Sequence, residues 1–217
     1  MYIGIIQVRP VIRRDAQSHD WAIPVGSTNM KKVDYFAVIH KYIDTRSLTY
    51  GIYVPHVIFV TRKALAIARR LGLTAAQRQF IEEAGMLHDI GIIKVHFPEA
   101  GCAGELPYLM HGPAGREILE AEGLPRHAIV CESHIGVGIT KEQIREKNLP
   151  LPPRDMLPAS IEEEIISYAD LFYSKDPGRL WAEKSAAQAR AGVAEFGPWH
   201  AERFDAWHKK FKSVILN

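Results

Sequence analysis

Apolar residues recur at helical spacing along most of this chain. From His56 to Leu71, Val60, Ala64, Ile67 and Ala68 fall on one face, with Arg62, Lys63, Arg69 and Arg70 off it. That pattern predicts an amphipathic helix, and Gly72 is placed to end it. Lys32–Ile43 has apolar positions at mixed helical spacing. Thr74 with Gln77, Thr140 with Gln143, and Ser160 with Glu163 each read as a capping box opening a helix, because each side chain can satisfy the other residue's free backbone N–H. The helix that Thr74 opens carries Phe80, Ala84 and Leu87 and runs to about Asp89. Further helices are predicted over His111–Glu122 and Pro125–Ser133, and from Ser160 through Asp170. Pro150, Pro152, Pro153 and Pro158 mark an extended linker, and two last helices are expected to break near Gly197-Pro198. Only the first 29 residues differ. MYIGIIQVRPVI is β-type and QSHDWAIPVGSTN turn-rich, so a short strand or hairpin and a loop are expected there. The expectation is an all-α domain over 30–217, with an N-terminal strand/loop extension over 1–29.

Composition narrows the class. Hydrophobic residues make up 47% and charged residues 24% of 217, which excludes a disordered or fibrous chain. The net charge is only +2, so no stable nucleic-acid complex and no binding to a membrane surface are expected. The longest apolar run, near Ile52–Val60, falls short of the about 20 residues of a membrane span. The N-terminus lacks the long apolar core of a secretory signal. Cys102 and Cys131 cannot make a disulfide framework and read as free thiols, so a cytoplasmic protein is expected.

The candidate chemistry lies in histidine and aspartate. His88 and Asp89 end the apolar run Ala84-Gly85-Met86-Leu87. A charged group there is costly unless something compensates it, and a cation would. His56, His111, His134 and Asp170 stand on other predicted helices, and a bundle can point such residues at one centre. Four His and two Asp exceed what one tetrahedral ion needs and suit two ions bridged by a carboxylate. Taken singly, each residue is more simply hydrogen-bonded core. His19, His40, His96, His127, His200 and His208 have no comparable context.

The ordered set His56 … His88-Asp89 … Asp170 resembles the HD-domain superfamily of metal-dependent phosphohydrolases. Leu87-His88-Asp89-Ile90-Gly91 is similar to that family's central motif, and His111 and His134 match its two-metal subgroup. HGPAGREIL and ESHIGVGIT resemble the same subgroup, and the likeness covers roughly 54–174, with C-terminal helices over 178–217 outside it. The resemblance implies a helical bundle with a central dinuclear site. His56, His88 and Asp170 would hold one ion, His111 and His134 the other, and Asp89 would bridge both. It further implies hydrolysis of a small phosphate ester (a nucleotide, dinucleotide or phosphomonoester) with Asp89 and His88 at the reacting centre. The two divalent ions are expected to be iron first, with Mn, Ni, Zn or Mg suiting the same donors. Two departures stand out: Lys94 follows HDIG only after Ile92-Ile93, and the GYP motif of cyclic-di-nucleotide phosphodiesterases is absent.

A cation is needed against transition-state charge, and Arg116, then Lys94, are the substrate-binding candidates. Gly136-Val137-Gly138 is either a phosphate nest or a plain turn. Some HD-fold proteins with the same six ligands are di-iron oxygenases, which gives a second reading, and a binding module without turnover is a third. Trp207, Phe211 and Ile215 recur at i, i+4, i+8. This stripe is expected to pack on the bundle, with a homodimer face or a lid as the sharper possibility.

Overall fold

The computed structural model describes residues 32–212, and the expected N-terminal strand and loop lie outside them. Among the described residues the fold is helical: α1 Tyr35–Tyr42, α2 Leu48–Arg70, α3 Ala75–Leu87, α4 His111–Ala121, α5 Pro125–Ser133, α6 Lys141–Glu146, α7 Ile161–Asp170, α8 Ala186–Ala194 and α9 Pro198–Lys212. A two-stranded antiparallel ribbon, β1 His96–Phe97 and β2 Cys102–Ala103, interrupts the helices, with His96 opposite Ala103. The capping boxes of Thr74 and Thr140 form with both reciprocal bonds. At Ser160 the hydroxyl accepts from Glu163 N, but the Glu163 carboxylate accepts from Ala159 N and the Ser160 hydroxyl instead.

The second helix starts earlier than its apolar pattern predicts. Ser47 caps it by accepting from Tyr50 N, and it continues through Pro55. A proline removes one bond to the carbonyl a turn earlier. Here that residue is the exposed Gly51, so solvent can satisfy it. At 23 residues α2 is long and apolar enough by composition to cross a membrane, but half of its apolar window is buried in the bundle.

Helix α2 lies at the middle of the packing, against α3 and α7, while α4 pairs with α5, and α8 with α9. One apolar cluster joins α2, α3 and α7 to the C-terminal pair through Tyr168, Phe172, Phe204, Trp207 and Phe211. Trp207 and Phe211 are thus buried within the chain, so the described part of the C-terminal stripe packs on the bundle. Ile215 lies outside the described residues. A second cluster joins α1, α2 and α3 to α4 and α5 and surrounds the His/Asp motif. Immediately after that motif the chain turns through a short 3-10 segment, Ile90–Lys94, on which α4 packs closely. A Cβ on Gly91 would lie 2.0 Å from the His111 carbonyl oxygen and 2.3 Å from Gly115 N. Only glycine allows this approach, and the approach brings His111 to the centre.

Candidate metal centre

The six residues singled out above converge. His56, His88, Asp89 and Asp170 offer ligand atoms within 4.8 Å of one another, and so do Asp89, His111 and His134. Asp89 belongs to both groups, and its two oxygens face different ways. His56 Nε2 is 3.0 Å and His88 Nε2 3.4 Å from Oδ2, whereas His111 Nε2 is 3.6 Å and His134 Nε2 3.5 Å from Oδ1. Asp170 Oδ1 closes the first group, 3.0 Å from His56 Nε2 and 3.5 Å from His88 Nε2. His56, His88, Asp89, His111 and His134 are all buried.

Three of the histidines are set by one local device. His88 and His134 follow the last turns of α3 and α5, and His111 follows a short 3-10 turn. In each, Nδ1 is 2.7 Å from the carbonyl three residues earlier: Gly85, Tyr108 and Cys131. A carbonyl only accepts, so each Nδ1 carries the hydrogen and each Nε2 turns a lone pair to the centre. The 3.2 Å approach of His111 Nε2 to His134 Nε2 is then two lone pairs face to face. Burial pushes the pKa of His111 down to about 3, which keeps its ring neutral.

The centre carries a deficit that its own residues do not meet. His56 Nε2, His88 Nε2, Asp89 Oδ1 and Asp170 Oδ1 are buried without a hydrogen-bond partner. Such orphaned acceptors cost on the order of 1–3 kcal/mol each. Imidazole nitrogens and carboxylate oxygens that converge with fewer donors than acceptors are what a cation needs, so the set fits metal binding. Burial alone would raise the pKa of Asp89 and of Asp170. The Lys175 ammonium is the largest influence against it, and both carboxyls are held well below the usual range.

Lys175 is the residue that sequence reasoning missed. It is buried, and its Nζ lies 2.6 Å from Asp89 Oδ2. Burial works against its charge, but Asp89, with Tyr108 and Asp170, raises its pKa and keeps the ammonium charged. Nothing in the local sequence marks it: it stands five residues after Asp170, past the end of α7, where a lysine is ordinarily solvated. The two cations considered first have other surroundings. The Arg116 guanidinium is committed to Glu120, with Nε 2.8 Å from Oε1, and to the buried Glu132 at 2.5 Å. Lys94 is exposed at the end of the 3-10 segment. Gly136-Val137-Gly138 resolves as a turn, both glycines at positive φ and Gly138 N donating to the Ile135 carbonyl.

A helical unit with two histidine groups that share one carboxylate has the donor set of a candidate metal site. The HD domain family model matches residues 53–174, more than half of the chain. This chain belongs to the HD-domain family. It is 38% identical over 120 residues to the uncharacterized protein MJ0778 of Methanocaldococcus jannaschii, covering 54% of this chain and 63% of that protein. It is 31% identical over 163 residues to a tRNA (cytidine(56)-2'-O)-methyltransferase of Thermoplasma volcanium, covering 75% of this chain and 42% of the enzyme. The chain thus spans less than two thirds of the length of these curated relatives. Among solved structures it is similar to the HD domain of the phosphodiesterase PgpH of L. monocytogenes, in complex with cyclic-di-AMP. That match has a TM-score of 0.46 and 16% identity, over 87% of this chain and 100% of that one.

Proposed function

We propose that this protein is a metal-dependent phosphohydrolase that cleaves a small phosphate ester at a dinuclear centre. One observation carries the reading. The two oxygens of the buried Asp89 face two separate groups of histidine nitrogens whose lone pairs have no other partner. His56, His88 and Asp170 would hold one divalent ion, His111 and His134 the other, with Asp89 between them. Bound there, two such ions supply Lewis-acid charge toward a phosphoryl oxygen and lower the pKa of a water toward about 7. Iron is the first candidate, with Mn, Ni, Zn or Mg compatible with the same donors.

The remaining chemistry belongs to the chain. The three backbone-anchored histidines hold their rings in one tautomer, so no reorganisation is needed when a ligand arrives. Among the described residues the histidine–Asp89 group on the Oδ1 side has three protein donors, which leaves positions for substrate and water. Lys175 supplies the fixed positive charge that balances charge developing on the phosphoryl group. It takes the role first considered for Arg116 and Lys94. The buried free thiols Cys102 and Cys131 accord with a reducing, cytoplasmic setting. Methyl transfer, the activity in one relative's name, belongs to a protein more than twice as long as the matched segment.

The test is a screen of purified, metal-loaded protein against phosphomonoesters, nucleotides and dinucleotides. Turnover that is lost on chelation and restored by a divalent ion is expected. Two irons, oxygen consumption and no ester hydrolysis would replace this reading with the di-iron oxygenase. Tight nucleotide binding without turnover would replace it with a binding module.

A further inference from the structure

Helix α2 carries no acidic residue from Leu48 to Arg70, yet holds Arg62, Lys63, Arg69 and Arg70 in its second half. Phe59, Arg62, Lys63, Ala66, Arg69 and Arg70 are spaced i, i+3, i+4, i+7, i+10, i+11, so they form one stripe. The stripe is one wall of a groove of about 900 Å³, completed by residues of α7, the segment after it and α9. Lys212 adds a fifth cation to the lining, and among the described residues Glu183 is the one acid there. Glu183 is already engaged, by Lys63 Nζ at 2.6 Å and the Tyr173 hydroxyl at 2.8 Å. Arg69 and Arg70 complement the negative end of the helix dipole, as basic residues at a C-terminus do. Arg62 and Lys63 lie mid-helix, where the dipole gives them nothing.

The same groove displays aromatic rings. Phe59 stacks on Tyr173 with centroids 5.6 Å apart, and Trp181 stands edge-on to Phe59 at 5.8 Å. Trp181 is 71% exposed, the most exposed large apolar side chain described. A solvated basic face needs no exposed tryptophan, and a buried aromatic cluster needs no row of arginines. Cations tracking a backbone beside rings on which flat bases can stack is the combination that binds unpaired nucleotides. The chain's net charge of +2 conceals this, because acidic residues elsewhere offset the groove.

We propose that the α2 groove is a binding site for single-stranded nucleic acid, with phosphates on Arg62, Arg69, Arg70 and Lys212 and a base stacked on Trp181. The site does not depend on the metal centre and would stand if the hydrolase reading failed. It runs against the expectation drawn from net charge alone.

The experiment is fluorescence anisotropy with a labelled 20-nucleotide oligouridylate, the matching single-stranded DNA, and a duplex of the same length, over a salt series. Single strands should bind with a log–log salt slope of about −3 for roughly four neutralised phosphates, and more tightly than the duplex. The double variant Arg62→Glu/Arg69→Glu should weaken binding at least about 10-fold and flatten the slope. Trp181→Ala should weaken it about 10-fold with the slope unchanged, as loss of one stacked base does. Arg145→Glu, an exposed charge on α6, controls for overall charge and should have little effect. All substituted side chains are exposed, so circular dichroism and metal content should match the wild type. Three results would overturn the proposal. These are no binding up to about 100 µM protein, the weak end of non-specific affinity; binding indifferent to both groove variants; or preference for the duplex or for anionic phospholipid vesicles.

Discussion

Asp89 and Glu132 are both buried carboxylates near the middle of this bundle, and they are treated in opposite ways. Glu132 is answered in full. Arg116 reaches one oxygen at 2.5 Å and Arg154 the other, and both cations keep part of their surface in water. Asp89 is answered in part. Lys175 meets Oδ2, while Oδ1 faces two histidine lone pairs and has no donor. A buried charge with its partners complete ties helices together and needs nothing more. A buried charge with converging, unpaired acceptors around it is a site that expects a cation. Burial alone does not distinguish structural from functional charges; the state of their partners does.

The largest effect should come from Asp89→Ala. It removes the group shared by both histidine clusters. Bound metal should fall to near zero by elemental analysis, and turnover should fall at least about 10³-fold, with helical content by circular dichroism kept. Full activity in that variant would break the distinction between the two carboxylates. Lys175→Met sharpens it from the cationic side. Metal content should stay, since lysine is no ligand here, while turnover falls roughly 10²-fold, the scale of losing one transition-state charge contact. An equal drop in metal content would make Lys175 a support of the site instead.

Glu132→Ala should do the reverse of Asp89→Ala. Stability in urea should fall by about 2 kcal/mol, toward the lower end for a broken buried pair because Arg116 and Arg154 can return to water. Metal content should be unchanged. The smallest effect is expected for Arg116→Gln. Its bonds to Glu120 and Glu132 are partly exposed, so stability should change by no more than about 1 kcal/mol and turnover by less than threefold. A large loss of turnover there would return Arg116 to the substrate.

Much of this was legible in the chain. Helices α3 and α6 follow the full capping boxes of Thr74 and Thr140, α7 follows the half that Ser160 makes, and α4 and α5 form without a side-chain cap. The six-residue set was readable because His88-Asp89 ends an apolar run where a charged group is costly, and because the ordered set resembles the HD-domain family. Lys175 was not readable, because a lysine after a helix is ordinarily solvated and only the fold turns it inward onto Asp89. The partners of Arg116 were hidden for the complementary reason. Its nearness to His111 in sequence said nothing of Glu132, which comes from the neighbouring helix. The start of α2 was missed because Pro55 reads as a boundary, whereas the exposed Gly51 lets the helix pass it.

The central claim is that the buried Asp89 is shared by two metal ions. The most direct test is elemental analysis of wild type and Asp89→Ala, purified without chelator and reconstituted with Fe or Mn, beside a phosphate-ester assay. About two ions per wild-type chain with ester turnover, and neither in the variant, is the predicted result. A folded wild-type protein that takes up no metal after reconstitution would contradict the account and make the six residues a polar core.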